Sequence, residues 1–256
     1  MDRTADTFRK LKAAGRKGLV GYLTAGDPDV AGSARDLRAA LDAGVDVLEL
    51  GVPFSDPTAD GPTIQAASQR ALAARITLPK VLDLVRDLRR TYVQPIVLFG
   101  YANPFYVYGY ERLCRDAAAA GVDGLLVVDL PFEEQEELRR HMRPQGLALI
   151  PLIAPTTPPD RAARLLQQAE GFVYYIMVKG VTGERRDVPA DIRQHLDVLR
   201  QHTALPIAAG FGIGSGAQAR EAAAVADAVV VGSALVKAAR AGRLAEFVHE
   251  LRAALD

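Results

Sequence analysis

The residue best suited to chemistry is Glu49, which stands near the end of the apolar run from Val45 to Leu50. If this run is a strand, its side chains alternate, so that Glu49 shares a face with Val45 and Val47. Both faces of such a strand are buried, and a buried carboxyl group is costly unless it is paired or functional. Burial would raise its pKa toward neutrality, where the group could exchange protons. The alternative is a structural carboxylate that forms a salt bridge inside the fold.

A second carboxyl group, Asp60, lies in the loop from Pro53 to Pro62 that follows. The prolines of this loop stiffen its backbone, which helps to hold a catalytic side chain in place. The alternative role for Asp60 is that of a helix N-cap, because Pro62 suits the first turn of a following helix. The sequence leaves both roles open.

Glycine-rich segments near the C-terminus suggest a site for a phosphorylated ligand. The segments Gly210 to Ser215 and Gly232-Ser233 follow the last two apolar runs, where many barrels bind phosphate through backbone N–H groups. The polar loop from Lys179 to Asp187 contains two glycines, so it is either a lid over the site or an ordinary surface loop. Neither the four histidines nor Cys114 shows metal-ligand spacing, so we expect no metal.

The elements that must position these residues are eight short apolar runs separated by longer segments with helical spacing. The runs are Gly18 to Leu23, Val45 to Leu50, Pro95 to Phe99, Gly124 to Val128, Ala148 to Ile153, Phe172 to Val178, Pro206 to Ala209 and Ala228 to Val231. This alternation predicts an α/β fold, a single (β/α)8 TIM barrel over residues 1–256, with extra helices at the N-terminus and after the second strand, around Thr63 to Ala73. A doubly wound open sheet is the alternative, because spacing does not prove that the edges meet.

Composition excludes several classes of protein. Lys plus Arg and Asp plus Glu both number 31, which leaves no net field to attract nucleic acid or an anionic membrane. The single cysteine, Cys114, excludes an intrachain disulfide and fits a small buried hydrophobe in a reducing compartment. The N-terminus lacks the apolar core of a signal peptide, and the apolar runs are far shorter than a membrane helix. We therefore expect a cytoplasmic protein.

Several motifs, taken in order, resemble one known family over essentially the whole chain, the tryptophan synthase α chain. The most specific is the block from Leu48 to Pro57, continued by the block from Ala59 to Gln65. The others are Tyr101-Ala102-Asn103-Pro104, Gly180-Val181-Thr182-Gly183, Gly210-Phe211-Gly212-Ile213 and Gly232-Ser233-Ala234.

This resemblance implies a lyase that splits indole-3-glycerol phosphate into indole and glyceraldehyde 3-phosphate by a retro-aldol step, as part of L-tryptophan biosynthesis. Glu49 matches the catalytic acid/base, which removes the proton from the C3′ hydroxyl and takes part in moving a proton to indole C3. Asp60 matches the carboxylate that receives the indole N–H and stabilises the cationic indolenine. No cofactor is implied, because the protonated indole serves as the electron sink.

The resemblance also implies which residues surround the substrate. The positions that hold the glycerol phosphate match Gly183, Gly212, Gly232 and Ser233. The walls around the indole match Tyr22, Ile64, Phe99, Tyr101, Tyr174 and Phe211. Thr182 matches the residue of a closing lid that meets Asp60.

The family further implies a partner, the pyridoxal-phosphate-dependent tryptophan synthase β subunit, in an αββα complex that Pro53 and Asp56 would face. Two other functions are considered: a stand-alone lyase that releases free indole, and a barrel that mainly activates a β partner. The sequence departs from the family at Met177 to Lys179, where many members have a serine followed by small or polar residues. It also has Arg75 where a glycine is common.

Overall fold

The computed structural model describes residues 2–176, 190–210 and 212–256. In these ranges nine parallel β-segments form one curled sheet, in the order β5-β4-β3-β2-β1-β9-β8-β7-β6. The segments are β1 Gly18–Thr24, β2 Val47–Gly51, β3 Ile96–Gly100, β4 Gly124–Val127, β5 Ala148–Leu149, β6 Leu152–Ile153, β7 Val173–Ile176, β8 Ile207–Gly210 and β9 Ala228–Val231. The chain therefore has an α/β fold with a parallel sheet, as the alternation of apolar runs predicts.

The fifth predicted run is divided into two segments, and these two segments are the ends of the strand order. Between them lie Ile150 and Pro151, and proline has no backbone N–H to continue the hydrogen-bond ladder. The Ile150 N–H donates to the Leu125 carbonyl of β4 at 2.9 Å. The Tyr174 N–H of β7 donates to the Pro151 carbonyl at 2.9 Å. One short stretch of chain thus contacts both ends of the sheet.

Helices separate the strands. They are α1 Arg3–Ala13, α2 Val30–Asp42, α3 Pro62–Ala73, α4 Leu78–Leu88, α5 Ala102–Tyr108, α6 Tyr110–Ala120, α7 Gln135–Met142, α8 Pro159–Gln167, α9 Ala190–Arg200, α10 Gly216–Ala223, α11 Ser233–Arg240 and α12 Leu244–Leu255. Two helices, α3 and α4, lie between β2 and β3, and α1 precedes β1. No helix in the described part of the chain is long and apolar enough to cross a membrane.

The inner face of the sheet carries its own buried cluster, which includes Val20, Val47, Val97 and Phe172. Helix α1 adds Phe8 to this cluster, and the rings of Phe8 and Phe172 lie 5.8 Å apart. The outer face packs against the helices in a larger cluster with Leu48 and Leu50. The expectation that Val45 shares the face of Val47 is wrong, because Val45 precedes β2 and packs in the outer cluster.

An acidic residue stands shortly before each of β2, β4, β7 and β9 and bonds to a strand that comes earlier in the chain. Asp46, Asp123, Glu170 and Asp227 accept hydrogen bonds from the backbone N–H groups of Leu19, Ile96, Leu149 and Ile207, at 2.8 to 2.9 Å. Each of these acids also pairs with an arginine, namely Arg252, Arg89, Arg139 and Arg200 respectively. Because parallel strands begin at the same edge, these contacts tie neighbouring strands together at the N-terminal edge of the sheet.

Candidate active site

Glu49 lies in β2, on the inner face of the sheet, between Tyr22 of β1 and Val97 of β3 in the strand register. Its side chain is fully buried, and neither carboxyl oxygen has a hydrogen-bond partner among the described residues. Burial raises the pKa of Glu49 to about 8. Within the described chain, the prediction of a structural salt bridge is therefore wrong. A buried acid without a partner and with a pKa near neutrality is suited to proton transfer.

Asp60 lies in the loop between β2 and α3. Its carboxyl group does not cap the helix, because Gly61 is the N-cap of α3 and makes no side-chain capping bond. The N-cap interpretation is therefore wrong. Burial raises the pKa of Asp60 to about 6, while a hydrogen bond from the Tyr101 hydroxyl lowers it. The same hydroxyl accepts a hydrogen bond from the Ala59 N–H at 3.0 Å, so that Tyr101 holds this part of the loop.

Aromatic rings stand beside the two acids. The ring of Phe99 makes an edge contact with Tyr22, with centroids 5.2 Å apart, and lies 6.5 Å from Tyr174. Burial raises the pKa of both tyrosines, and the negative charges of Glu49 and Asp60 raise them further. Both carboxyl groups therefore lie within electrostatic reach of both phenols.

Gly51, the last residue of β2, is required by the position of Tyr22. A β-carbon on Gly51 would lie 2.2 Å from the Tyr22 hydroxyl oxygen, which is far inside van der Waals contact. That hydroxyl is 3.3 Å from Thr24 Oγ1, within hydrogen-bond distance. The glycine lets the phenol lie against the backbone next to Glu49.

A cavity of about 800 Å³ opens where β8 and β9 end. Its lining includes Ile64 and Tyr174 together with the glycine segments, represented by Gly212, Gly232 and Ser233. Gly212 has a φ of +69°, which favours glycine, and no atom of the described residues lies within 4 Å of its missing β-carbon. Gly232 is the N-cap of α11 and makes no side-chain capping bond, so the first N–H groups of that helix remain available as donors. These features are typical of an anion site.

Three of the predicted site residues, Thr182, Gly183 and Phe211, lie outside the described residues, as does the predicted lid from Lys179 to Asp187. Of the two residues predicted to face a partner, Asp56 is exposed and Pro53 is buried within the chain.

The sequence prediction missed part of the cavity lining, including Ile176 and Lys237. Lys237 follows Ser233 by four residues in α11, and this helical spacing is the signal that could have identified it. Among the described residues no group of three His, Cys, Asp or Glu side chains could hold a metal ion.

The two acids differ in their protonation at neutral pH. With a pKa of about 8, Glu49 is mostly protonated at pH 7, whereas Asp60, with a pKa of about 6, is mostly ionised. Two carboxyl groups whose environments separate their pKa values in this way can act as a proton donor and as an anion. The aromatic rings beside them offer walls for a flat apolar group.

Comparisons with known proteins show which family this chain resembles. The family model described as tryptophan synthase alpha chain matches residues 8–253. A tryptophan synthase alpha chain from Geobacter sulfurreducens is 50% identical over 262 residues, which cover 100% of this chain and 99% of the relative. A crystal structure of the alpha chain from Legionella pneumophila is 36% identical with a TM-score of 0.90, and covers 100% of this chain and 98% of that one. A structure of tryptophan synthase from M. tuberculosis is 33% identical with a TM-score of 0.92, and covers 100% of both chains. The chain belongs to the tryptophan synthase alpha chain family.

Proposed function

We propose that this chain is a lyase that cleaves indole-3-glycerol phosphate to indole and glyceraldehyde 3-phosphate, as the α subunit of tryptophan synthase. The observation that carries the proposal is Glu49, a fully buried carboxyl group without a described partner and with a pKa of about 8. Family membership defines the substrate, and the two acids beside aromatic walls supply the chemistry that this substrate needs.

Glu49 acts first as an acid and then as a base, so that it regains a proton in place of the one it has given. In its protonated form it donates a proton to indole C3, which becomes tetrahedral. The resulting carboxylate then accepts the proton of the C3′ hydroxyl. The bond between C3 and C3′ breaks, its electron pair returns to the indole ring, and the C3′ oxygen becomes the aldehyde of the second product. Because the same group gives one proton and recovers one, it ends as it began.

Asp60 stabilises the intermediate of this reaction. Protonation at C3 makes the indole a cation whose N–H is a strong donor, and an ionised carboxylate can accept that hydrogen bond. The pKa of about 6 keeps Asp60 ionised at neutral pH. Tyr22, Phe99, Tyr101, Tyr174, Ile64 and Phe211 form the walls around the indole.

The phosphate of the substrate binds where β8 and β9 end. Gly183, Gly212, Gly232 and Ser233 hold it through backbone N–H groups and the Ser233 hydroxyl. The available donors at the start of α11 and the open space at Gly212 support this assignment. Thr182 belongs to a lid that closes over Asp60 and excludes water during the reaction.

The sheet is a closed (β/α)8 barrel that forms a single domain over residues 1–256, with α1 and α3 among the helices added to the eightfold pattern. The hydrogen bonds that Ile150 and Pro151 make to opposite ends of the strand order support closure. The partner is the tryptophan synthase β subunit in an αββα complex, with exposed Asp56 at the interface and buried Pro53 shaping its loop. The lone buried Cys114 fits a reducing, cytoplasmic compartment.

The test is incubation of the purified chain with indole-3-glycerol phosphate, with and without a β subunit, followed by assay for indole. Glu49→Gln should lower the rate by at least roughly 10² to 10⁴, the range expected for loss of general acid-base catalysis. Asp60→Asn should lower turnover far more than phosphate binding. Rapid turnover without the β subunit would favour a stand-alone lyase. Wild-type turnover by Glu49→Gln would refute the proposed mechanism.

A further inference from the structure

The cavity where β8 and β9 end contains more charge than the glycine segments alone provide. A phosphate ester carries close to two negative charges at neutral pH, and backbone N–H groups offer only partial positive charges against them. Four charged side chains line the cavity, namely Lys237, Arg243, Glu246 and Glu250. Arg243, Glu246 and Glu250 belong to α12 and its N-cap, a group with one positive and two negative side chains. Lys237 stands apart from them on α11.

Lys237 is placed to reach the start of its own helix. It follows Ser233 by four residues, so the two side chains share one face of α11. Ser233, Ala234, Lys237, Ala238 and Ala241 all line the cavity, which shows that this face of the helix is turned toward it. Side chains on a helix lean toward its N-terminus, so the lysine stem extends back toward Gly232 and Ser233.

The Lys237 ammonium group is not neutralised by the rest of the described chain. It forms no ion pair and no hydrogen bond with any described residue, whereas all sixteen ion pairs there use arginine. Lys237 also lines a cleft between α3 and α11, in which the other charged side chains are Arg70 and Arg240. Arg70 is already engaged by both oxygens of Asp27 at 2.7 Å. Lys237 is exposed, so its charge is available to an anion at the start of α11, and its attraction is strongest at low ionic strength.

We propose that Lys237 supplies the full positive charge that binds the phosphate group of the substrate at the start of α11. This inference rests on the proposed function for the identity of the substrate, but the binding of a phosphate group can be tested without turnover. Lys237 is a binding residue and takes no part in the proton transfers of Glu49. Its loss should therefore raise KM and leave kcat nearly unchanged.

The experiment compares the wild-type chain with Lys237→Met, Lys237→Arg and Arg240→Met. Arg240 is the matched control, since it lies in the same last turn of α11 and does not line the large cavity. Inorganic phosphate and glycerol 3-phosphate are titrated into each protein and followed by ³¹P NMR. We expect Kd for both anions to rise roughly tenfold in Lys237→Met, to recover largely in Lys237→Arg, and to stay unchanged in Arg240→Met. Thermal unfolding checks that each variant is folded.

Steady-state cleavage of indole-3-glycerol phosphate by the same proteins separates the two proposals. A tenfold higher KM with kcat within about twofold is the result expected for Lys237→Met. If no protein cleaves the substrate but phosphate binding still depends on Lys237, the proposed function fails and the anion site remains. Equal anion affinity in wild type and Lys237→Met overturns the inference, as does an equal loss in Arg240→Met. A wild-type chain that binds neither anion overturns it as well.

Discussion

Glu49 is costly for the fold because its burial opposes ionisation. Its pKa is about 8 in the folded chain, compared with 4.5 for an ordinary glutamate. Between these two values the folded chain holds a proton that the unfolded chain has released. The contribution of Glu49 to the free energy of unfolding is therefore largest below pH 4.5 and decreases as the pH rises to about 8. At pH 7 the loss amounts to roughly 3 kcal/mol.

Glu49→Gln should remove this dependence on pH. We expect the unfolding free energy of the variant, relative to wild type, to increase by roughly 3 kcal/mol between pH 4.5 and pH 7. Urea unfolding at several pH values measures both curves. The buried amide of the variant changes the unfolding free energy by the same amount at every pH, so the difference in slope between the two curves reports only the titration of Glu49. Two parallel curves would show that Glu49 titrates normally and would remove the basis for its role as an acid.

Tyr101 affects the ionisation of Asp60, because a hydrogen bond from its hydroxyl lowers the pKa of that carboxyl group. In Tyr101→Phe the pKa of Asp60 should rise further above its ordinary value, so that ionisation requires a higher pH. Since the proposed mechanism needs an ionised Asp60, the acidic limb of the kcat/KM profile should move to higher pH. We expect kcat/KM to fall roughly three- to tenfold below pH 6 and to approach wild type above pH 7.

Tyr92→Phe is the control for this prediction, because it also removes a phenol from a carboxylate, that of Asp42, but on the surface of the fold. Its pH profile should match that of wild type. If the profile of Tyr101→Phe matches as well, Tyr101 does not control the charge of Asp60.

At the scale of elements, the connection from α3 to α4 contains a local strain. Arg75 has a φ of +57°, in the left-handed region that favours glycine. A residue with a β-carbon costs about 1 kcal/mol or more in this region. The Arg75 carbonyl accepts a hydrogen bond from the Lys80 side chain at 2.8 Å, which helps to hold the turn.

Arg75→Gly should stabilise the fold by up to about 1 kcal/mol, because relief of strain exceeds the added entropy of the unfolded chain. Chemical denaturation measures the change. Arg75→Ala is the matched control, since it removes the same side chain but keeps the β-carbon and the strained φ. Equal stability of the two variants would mean that the side chain, and not the backbone, accounts for the effect.

Much of the fold was accessible from the sequence because its strands are buried on both faces. Such strands are continuous apolar runs, and the prediction of Ala228 to Val231 agrees with β9 in both bounds. The division of the fifth run was missed, because its apolarity continues across Pro151 while its hydrogen-bond ladder does not. The burial of Glu49 was predictable because its immediate neighbours in the strand, Leu48 and Leu50, are apolar. The bond between Tyr101 and Asp60 was missed, since it depends on a loop conformation that no local pattern encodes.

At the scale of the whole molecule, the two edges of the sheet serve different purposes. The N-terminal edge holds the four acid–arginine pairs that join neighbouring strands. The C-terminal edge holds Asp60 and the glycine segments, and near it lies Glu49, a buried carboxyl group with no hydrogen-bond partner among the described residues. Satisfied polar groups therefore stabilise one edge, while the other edge keeps groups available for a ligand. Substitutions at the N-terminal edge should therefore lower stability, whereas substitutions at the C-terminal edge should lower activity or ligand binding.

Asp123→Asn tests this separation. Asp123 is nearly buried and accepts hydrogen bonds from the Ile96 N–H at 2.8 Å and from Arg3 at 2.9 Å, besides its ion pair with Arg89. Loss of its charge leaves the largely covered Arg89 with carbonyl partners but without its carboxylate, so we expect the free energy of unfolding to fall by about 3 kcal/mol. At a temperature where the variant is folded, kcat and KM should stay within twofold of wild type, because no contact of Asp123 reaches the C-terminal edge.

Asp116→Asn provides the control, because its pairs with Arg112 and Arg115 lie on exposed arginines and should contribute less than about 1 kcal/mol. Urea unfolding and steady-state kinetics on the same samples compare all three proteins. A large change in kcat for Asp123→Asn, with the chain fully folded, would mean that the N-terminal edge is coupled to the chemistry. Unchanged stability would mean that Asp123 does not join β3 to β4. If the two edges have separate roles, Asp123→Asn loses stability but keeps its activity, because Glu49 keeps its position as long as the sheet is folded.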